Sequence, residues 1–90
     1  MQSSQDDNRS LESDLREFLD ELCVEWGFCI PPGPYNEISR SSSLSAEGFA
    51  GAVLQAEGMD PAYEKKWFRR LSDRFAERFG EFVSTDEYAA

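Results

Sequence analysis

The stretch that most constrains this chain is DPAYEKKWFRRLSDRFAERFGEFV, Asp60 to Val83, in which Phe68, Leu71, Phe75, Phe79 and Phe82 recur at steps of three and four. At about 100° per residue these side chains fall on one stripe of an α-helix, with Trp67 beside it. Asp60 followed by Pro61 is a start signal: the Asp carboxylate accepts from a free helix N–H, and proline has no N–H to leave orphaned. Gly80 either closes this helix in a left-handed conformation or sits inside it at a cost of about 1 kcal/mol. Burial of Phe82, worth roughly 1.5–3 kcal/mol, outweighs that cost, so the expectation is one helix over 60–83.

Two further helices are expected. Ser10 is a cap for Leu11, Leu15, Phe18, Leu19, Leu22 and Trp26 at helical spacing, giving a helix over about 10–26. Gly27 ends it, and Phe28 stands where a terminating loop folds an apolar side chain back onto the last turn. Ser45 begins another over about 45–57, with Leu44 and Phe49 spaced as a hydrophobic staple. Gly58 and Met59 close that helix in a Schellman arrangement with Leu54. Its many small residues permit close approach of a neighbour.

Between them, CIPPGPYNEISRSSS holds three prolines within four positions. These keep the backbone extended and remove donors, with an extra helical turn available from Pro34 through Ile38 before the serines of 41–43 return the chain to flexibility. Residues 1–9 are polar with no buried-face pattern and read as a disordered lead, and 84–90 read as a flexible tail. The fold class is therefore all-α: a small three-helix bundle over 10–83 with a Pro-rich connector.

Ninety residues leave room for one core, and 18 acidic against 9 basic residues give a formal charge of −9 with no histidine. The charge argues against direct binding to nucleic acid or to an anionic membrane, and no apolar run approaches the roughly 20 residues of a span. Cys23 and Cys29 lack CxxC spacing and there is no secretory signal, so reduced thiols in a cytoplasmic protein are the expectation.

Catalytic, metal and cofactor patterns are missing from the sequence. Acid–base catalysis by two carboxylates needs environments that split their pKa values, whereas Asp14, Glu17, Asp20, Glu21 and Glu25 spread over a solvated helix face. A hydrolytic triad usually takes histidine as its base, a calcium loop needs a DxDxDG-like run, and phosphate loops need clustered glycines. No enzyme, no metal and no cofactor are assigned. A helix-turn-helix reading of the basic last helix is opposed by Glu57 and Glu64 at positions such a unit keeps apolar.

What remains is a small acidic, non-enzymatic protein-binding or regulatory module, with partner-binding candidates Tyr35, Lys66, Arg70 and Arg74. The partner is another protein of unread identity. The alternative is an acidic decoy that imitates nucleic acid and occupies a DNA-binding protein, motivated by the charge and the row Glu17, Glu21, Glu25. That row and Arg70, Arg74, Arg78 each hold like charges at four-residue spacing, unfavourable within one helix. Both rows flank their stripes on the same rotational side, which predicts an antiparallel contact pairing Glu25 with Arg70, Glu21 with Arg74 and Glu17 with Arg78.

Overall fold

The computed structural model describes residues 10–88, so the expected lead over 1–9 lies outside the described residues. Helix α1 runs Leu11–Trp26, capped by Ser10, whose Oγ accepts from the Ser13 N–H at 3.1 Å. It ends at Gly27 in the left-handed conformation, and the Phe28 N–H turns back to the Leu22 carbonyl at 3.2 Å, which buries the Phe28 ring. Helix α2 spans Pro32–Ser39, a fuller element than the single turn expected, because Pro32 and Pro34 occupy its first turn, where a missing N–H costs nothing. Ile38 and Ser39 are its buried residues.

Strand β1, Ser43–Ser45, leads directly into helix α3, Ala46–Ala56. Ser45 caps α3 by accepting from the Gly48 N–H at 2.9 Å. Its far end is the expected Schellman closure: the Met59 N–H reaches the Leu54 carbonyl at 2.8 Å and Gly58 stands at φ 77°. Helix α4 is Lys65–Phe79, followed by strand β2, Phe82–Ser84, and the short helix α5, Thr85–Tyr88. The strands pair antiparallel with Leu44 opposite Val83, and Ser43 and Ser45 opposite Ser84 and Phe82. Flanking bonds, Ala46 N–H to the Glu81 carbonyl at 2.9 Å and Thr85 N–H to the Ser42 carbonyl at 2.8 Å, lengthen this short ladder.

The described residues are thus mostly helical, but they form five helices and a two-stranded sheet rather than a three-helix bundle. The helix expected over 60–83 is divided at both ends. At its start the Asp60 carboxylate accepts from Ala62 N–H at 2.9 Å, capping a separate turn before α4. At its end Gly80, at φ 92° and ψ 179°, breaks the helix. The burial credited to Phe82 goes to its neighbour instead: Val83 is 7% exposed and Phe82 58%. A glycine inside the helix would have gained one apolar side chain, whereas leaving the helix gains Val83 burial and backbone pairing with β1.

The same sheet bears on the serine run and on the described part of the tail, 84–88; residues 89–90 lie outside the described residues. Ser43 belongs to β1, and the tail is held by α5, where the Tyr88 hydroxyl donates to the buried carboxylate of Asp14 and the ring packs against Phe79. The core gathers Leu15, Phe18, Leu22, Phe49, Val53, Leu54, Leu71 and Phe75, all without exposure. Phe75 is central, with ring centroids 4.8 Å from Phe49, 4.9 Å from Phe79 and 6.2 Å from Phe18. Helices α3 and α4 pack closest, with Gly51 facing the Phe68 ring.

Candidate functional site

The left-handed turn at Gly27 does more than end α1. It brings Cys29 back beside Cys23, with Cα atoms 4.3 Å apart, and a disulfide joins them, so the expectation of reduced thiols is corrected. Six positions of sequence separate the two cysteines, yet the turn folds the chain within bridging distance. Inside the bridged loop lie Trp26 and Phe28, and both meet Trp67 in the first turn of α4, at centroid distances of 5.8 Å and 5.1 Å.

On this aromatic surface lies Arg70, its guanidinium carbon 5.7 Å from the Trp26 centroid and 5.1 Å from that of Trp67. One turn on, Arg74 sits 5.2 Å from the Trp26 ring and donates to Glu25 Oε1 at 2.7 Å, which holds the guanidinium more firmly protonated than usual. Another turn on, Arg78 bridges Glu21 at 3.2 Å and Glu17 at 3.3 Å. The two charge rows therefore meet, and the pairs run in opposite senses along the two helices, so α1 and α4 are antiparallel as the rows imply. Glu17 and Arg78 pair as expected, whereas Glu25 and Glu21 each take the arginine one turn further along α4, Arg74 and Arg78, because Arg70 stacks on the two indoles instead of pairing with Glu25.

The sequence candidates divide accordingly. Lys66, Arg70 and Arg74 stand along one flank of α4 at four-residue spacing, with Lys66 and Arg70 exposed. Tyr35 is elsewhere, on α2, half-buried and occupied within the chain: its hydroxyl donates to Asp20 Oδ1 at 3.0 Å, and the Arg16 guanidinium lies 5.3 Å from its ring centroid. Burial pushes the Tyr35 phenol above its ordinary pKa, and the hydrogen bond to the Asp20 carboxylate adds to the rise. Sequence reasoning missed Trp26 and Trp67 as site residues, although both Trp residues of the chain are here.

The two helix–strand–helix units, α2–β1–α3 and α4–β2–α5, invite a test for calcium. Such units hold the ion with a loop of about twelve residues offering alternating oxygen ligands. Here Arg40–Ser45 and Gly80–Ser84 join the helices, six and five residues with Glu81 as their one carboxylate. They do not fit the ion, and among the described residues no group of three or more His, Cys, Asp or Glu side chains is placed to hold a metal.

Surface depressions are shallow grooves. One of about 540 Å³ lies along α1, lined by Glu12, Arg16 and Asp20 among others. A second, about 490 Å³, runs between α3 and α4, lined by Phe68, Ala46 and Ala76, by Lys65 and Arg69 from the start of α4, and by the carboxylates of Glu47, Asp73 and Glu81. No helix among the described residues is long and apolar enough to cross a membrane. No family model matches the chain, and no curated protein or solved structure matches it.

Proposed function

We propose that this chain is a small non-enzymatic protein-binding module whose binding face is the first half of α4 with the indoles beneath it. The observation that carries the reading is Arg70 stacked on Trp26 and Trp67 at an exposed position. Trp and Arg dominate the energetics of protein interfaces, and an Arg already held by stacking loses less freedom when a partner binds it. Lys66 and Arg74 flank it on the same side of the helix; Tyr35, engaged with Asp20 and Arg16, leaves the candidate face.

The decoy reading is the weaker one, because Arg74 pairs with Glu25 and Arg78 is shared by Glu17 and Glu21, which offsets two of the three charges in its motivating row. Compartment follows a similar logic. A disulfide persists where thiols are not kept reduced, so Cys23–Cys29 favours an oxidising compartment over the cytoplasm.

A photo-reactive side chain tests the face. Tyr63, 85% exposed just before α4, receives the probe, and Phe82, 58% exposed beyond the other end of the helix, serves as the control position. A protein adduct is expected from position 63, absent from position 82 and lost when Trp67→Ala is added. Adducts of equal yield from both positions, or none from 63, would reject the assigned face.

A further inference from the structure

The chain has twice as many carboxylates as cations, so an exposed cation should find a partner easily. Outside one stretch, the described cations do: Arg16 and Arg40 pair with Glu12, Arg74 with Glu25, and Arg78 with Glu17 and Glu21. The exception is the first half of α4, where Lys65, Lys66, Arg69 and Arg70 are all exposed and, among the described residues, none is within ion-pair distance of a carboxylate. Even Arg69 and Asp73, one turn apart on the same helix, form no ion pair. Four like charges packed into two turns repel one another, so this arrangement does nothing for the stability of the helix that carries it.

We infer that these four cations form the docking surface for an acidic segment of a partner protein, an inference that rests on the protein-binding reading above. The segment it fits is short, with a run of Asp or Glu followed by an apolar residue. Lys66 and Arg70 meet the carboxylates on the indole side of α4. Lys65 and Arg69 meet them on the groove side, where Phe68, Ala46 and Ala76 offer apolar contacts for the next residue within a groove of about 490 Å³. The same groove is also lined by the carboxylates of Glu47, Asp73 and Glu81. A continuous phosphate ladder would run onto those carboxylates, whereas a peptide whose charge stops after a few residues would not. This feature, with the net charge of −9, favours a peptide over nucleic acid. At physiological ionic strength charges beyond about 8 Å are largely screened, so the local cluster acts before the distant acidic surface is felt.

The experiment is fluorescence anisotropy of the intact oxidised protein with labelled probes: a peptide of four glutamates followed by two leucines, the same peptide with glutamines for the glutamates, and a short single-stranded DNA. The glutamate peptide is expected to bind about 10-fold or more tighter than the glutamine peptide and to weaken as salt rises. Lys66→Glu with Arg69→Glu, both at exposed positions and checked for an unchanged melting temperature, should weaken it by about 10-fold or more. Arg70→Lys, which keeps the charge and loses the stacked fork, should give a smaller loss. Equal binding of the two peptides, tighter binding of the DNA, or indifference to the charge reversal would overturn the acidic preference. Should the glutamine peptide bind as well, and lose binding on Trp67→Ala, the protein-binding reading would stand and only the acidic inference would fall. No peptide binding, together with no adduct from position 63, would overturn both.

Discussion

The two halves of α4 carry the same residue types and do opposite things with them. In the second half, Arg74 and Arg78 lie against the glutamates of α1, and their guanidinium groups also lie over aromatic rings: Arg74 over that of Trp26, and Arg78 over those of Phe18 and Phe79, each at 5.6 Å. In the first half Lys65, Lys66, Arg69 and Arg70 are exposed, and Arg70 lies against the indoles rather than a carboxylate. Charge used inside the fold selects how two helices are oriented; charge left outside is free to select a partner. Arg70 is the boundary residue. It belongs by spacing to the row that pairs with α1, and by contact to the exposed cluster.

The largest expected effect would break both halves together. Phe75 has no exposure and meets the rings of Phe18, Phe49 and Phe79. Phe75→Ala should cost about 3–5 kcal/mol, a large share of the stability of so small a core. Thermal melting followed by circular dichroism should lose most of its cooperative transition. A shift of a degree or two would show that the centre of α4 does not anchor both ends.

A smaller effect separates the halves. The Cys23–Cys29 bridge closes a short loop that carries Trp26 and Phe28 under the first half of α4, while the glutamates at 17 and 21 lie beyond it. Replacing both cysteines by serine should cost about 2 kcal/mol and lower the melting temperature by about 10 °C. Because Trp26 and Trp67 are the chain's two tryptophans, tryptophan emission excited apart from the tyrosines reads this end alone. A red-shifted emission is expected in the native baseline, before global melting. An unchanged emission maximum with an unchanged melting temperature would mean that Gly27 and its hydrogen bonds hold the turn without the bridge.

Local signals made α1 and α3 legible. Ser10, Gly27, Ser45 and Gly58 act within a few residues of where they stand, and helical spacing alone places Phe75 in the core. What stayed hidden depends on chain segments far apart in sequence. Strand β1 is Ser-Leu-Ser, with no β-branched residue to mark it, and it is a strand because β2 lies alongside. Gly80 could be weighed only against the burial of Phe82, since nothing local shows that Leu44 waits opposite Val83. The disulfide was missed for a different reason: the two cysteines and the Gly27 turn are local and make a bridge across the helix end conceivable, but no sequence signal pointed to an oxidising compartment. In the site, basic spacing pointed to Lys66, Arg70 and Arg74. The indoles that turn Arg70 away from Glu25 come from two helices, and their meeting could not be read from either.

The smallest expected effect measures how far the paired half of α4 stabilises the fold. Arg74 and Glu25 form the shortest of the interhelical pairs, 2.7 Å, yet their side chains keep 28% and 49% of their exposure. Water and salt therefore screen the attraction, and holding two long side chains in one geometry costs entropy. Stacking on Trp26 offsets part of that cost by fixing the guanidinium before Glu25 is counted. A double-mutant cycle on Glu25→Gln and Arg74→Gln should give a coupling of about 0.2–1 kcal/mol that shrinks as salt is raised. The control is the same cycle on Glu25→Gln and Lys66→Gln, where no pair exists and the coupling should vanish. Single Lys66→Gln should leave stability unchanged or raise it slightly, since it removes a charge that Arg70 repels from one turn away. If both cycles gave equal couplings, the two halves of α4 would share one diffuse field, and the division between orienting charge and docking charge would be lost.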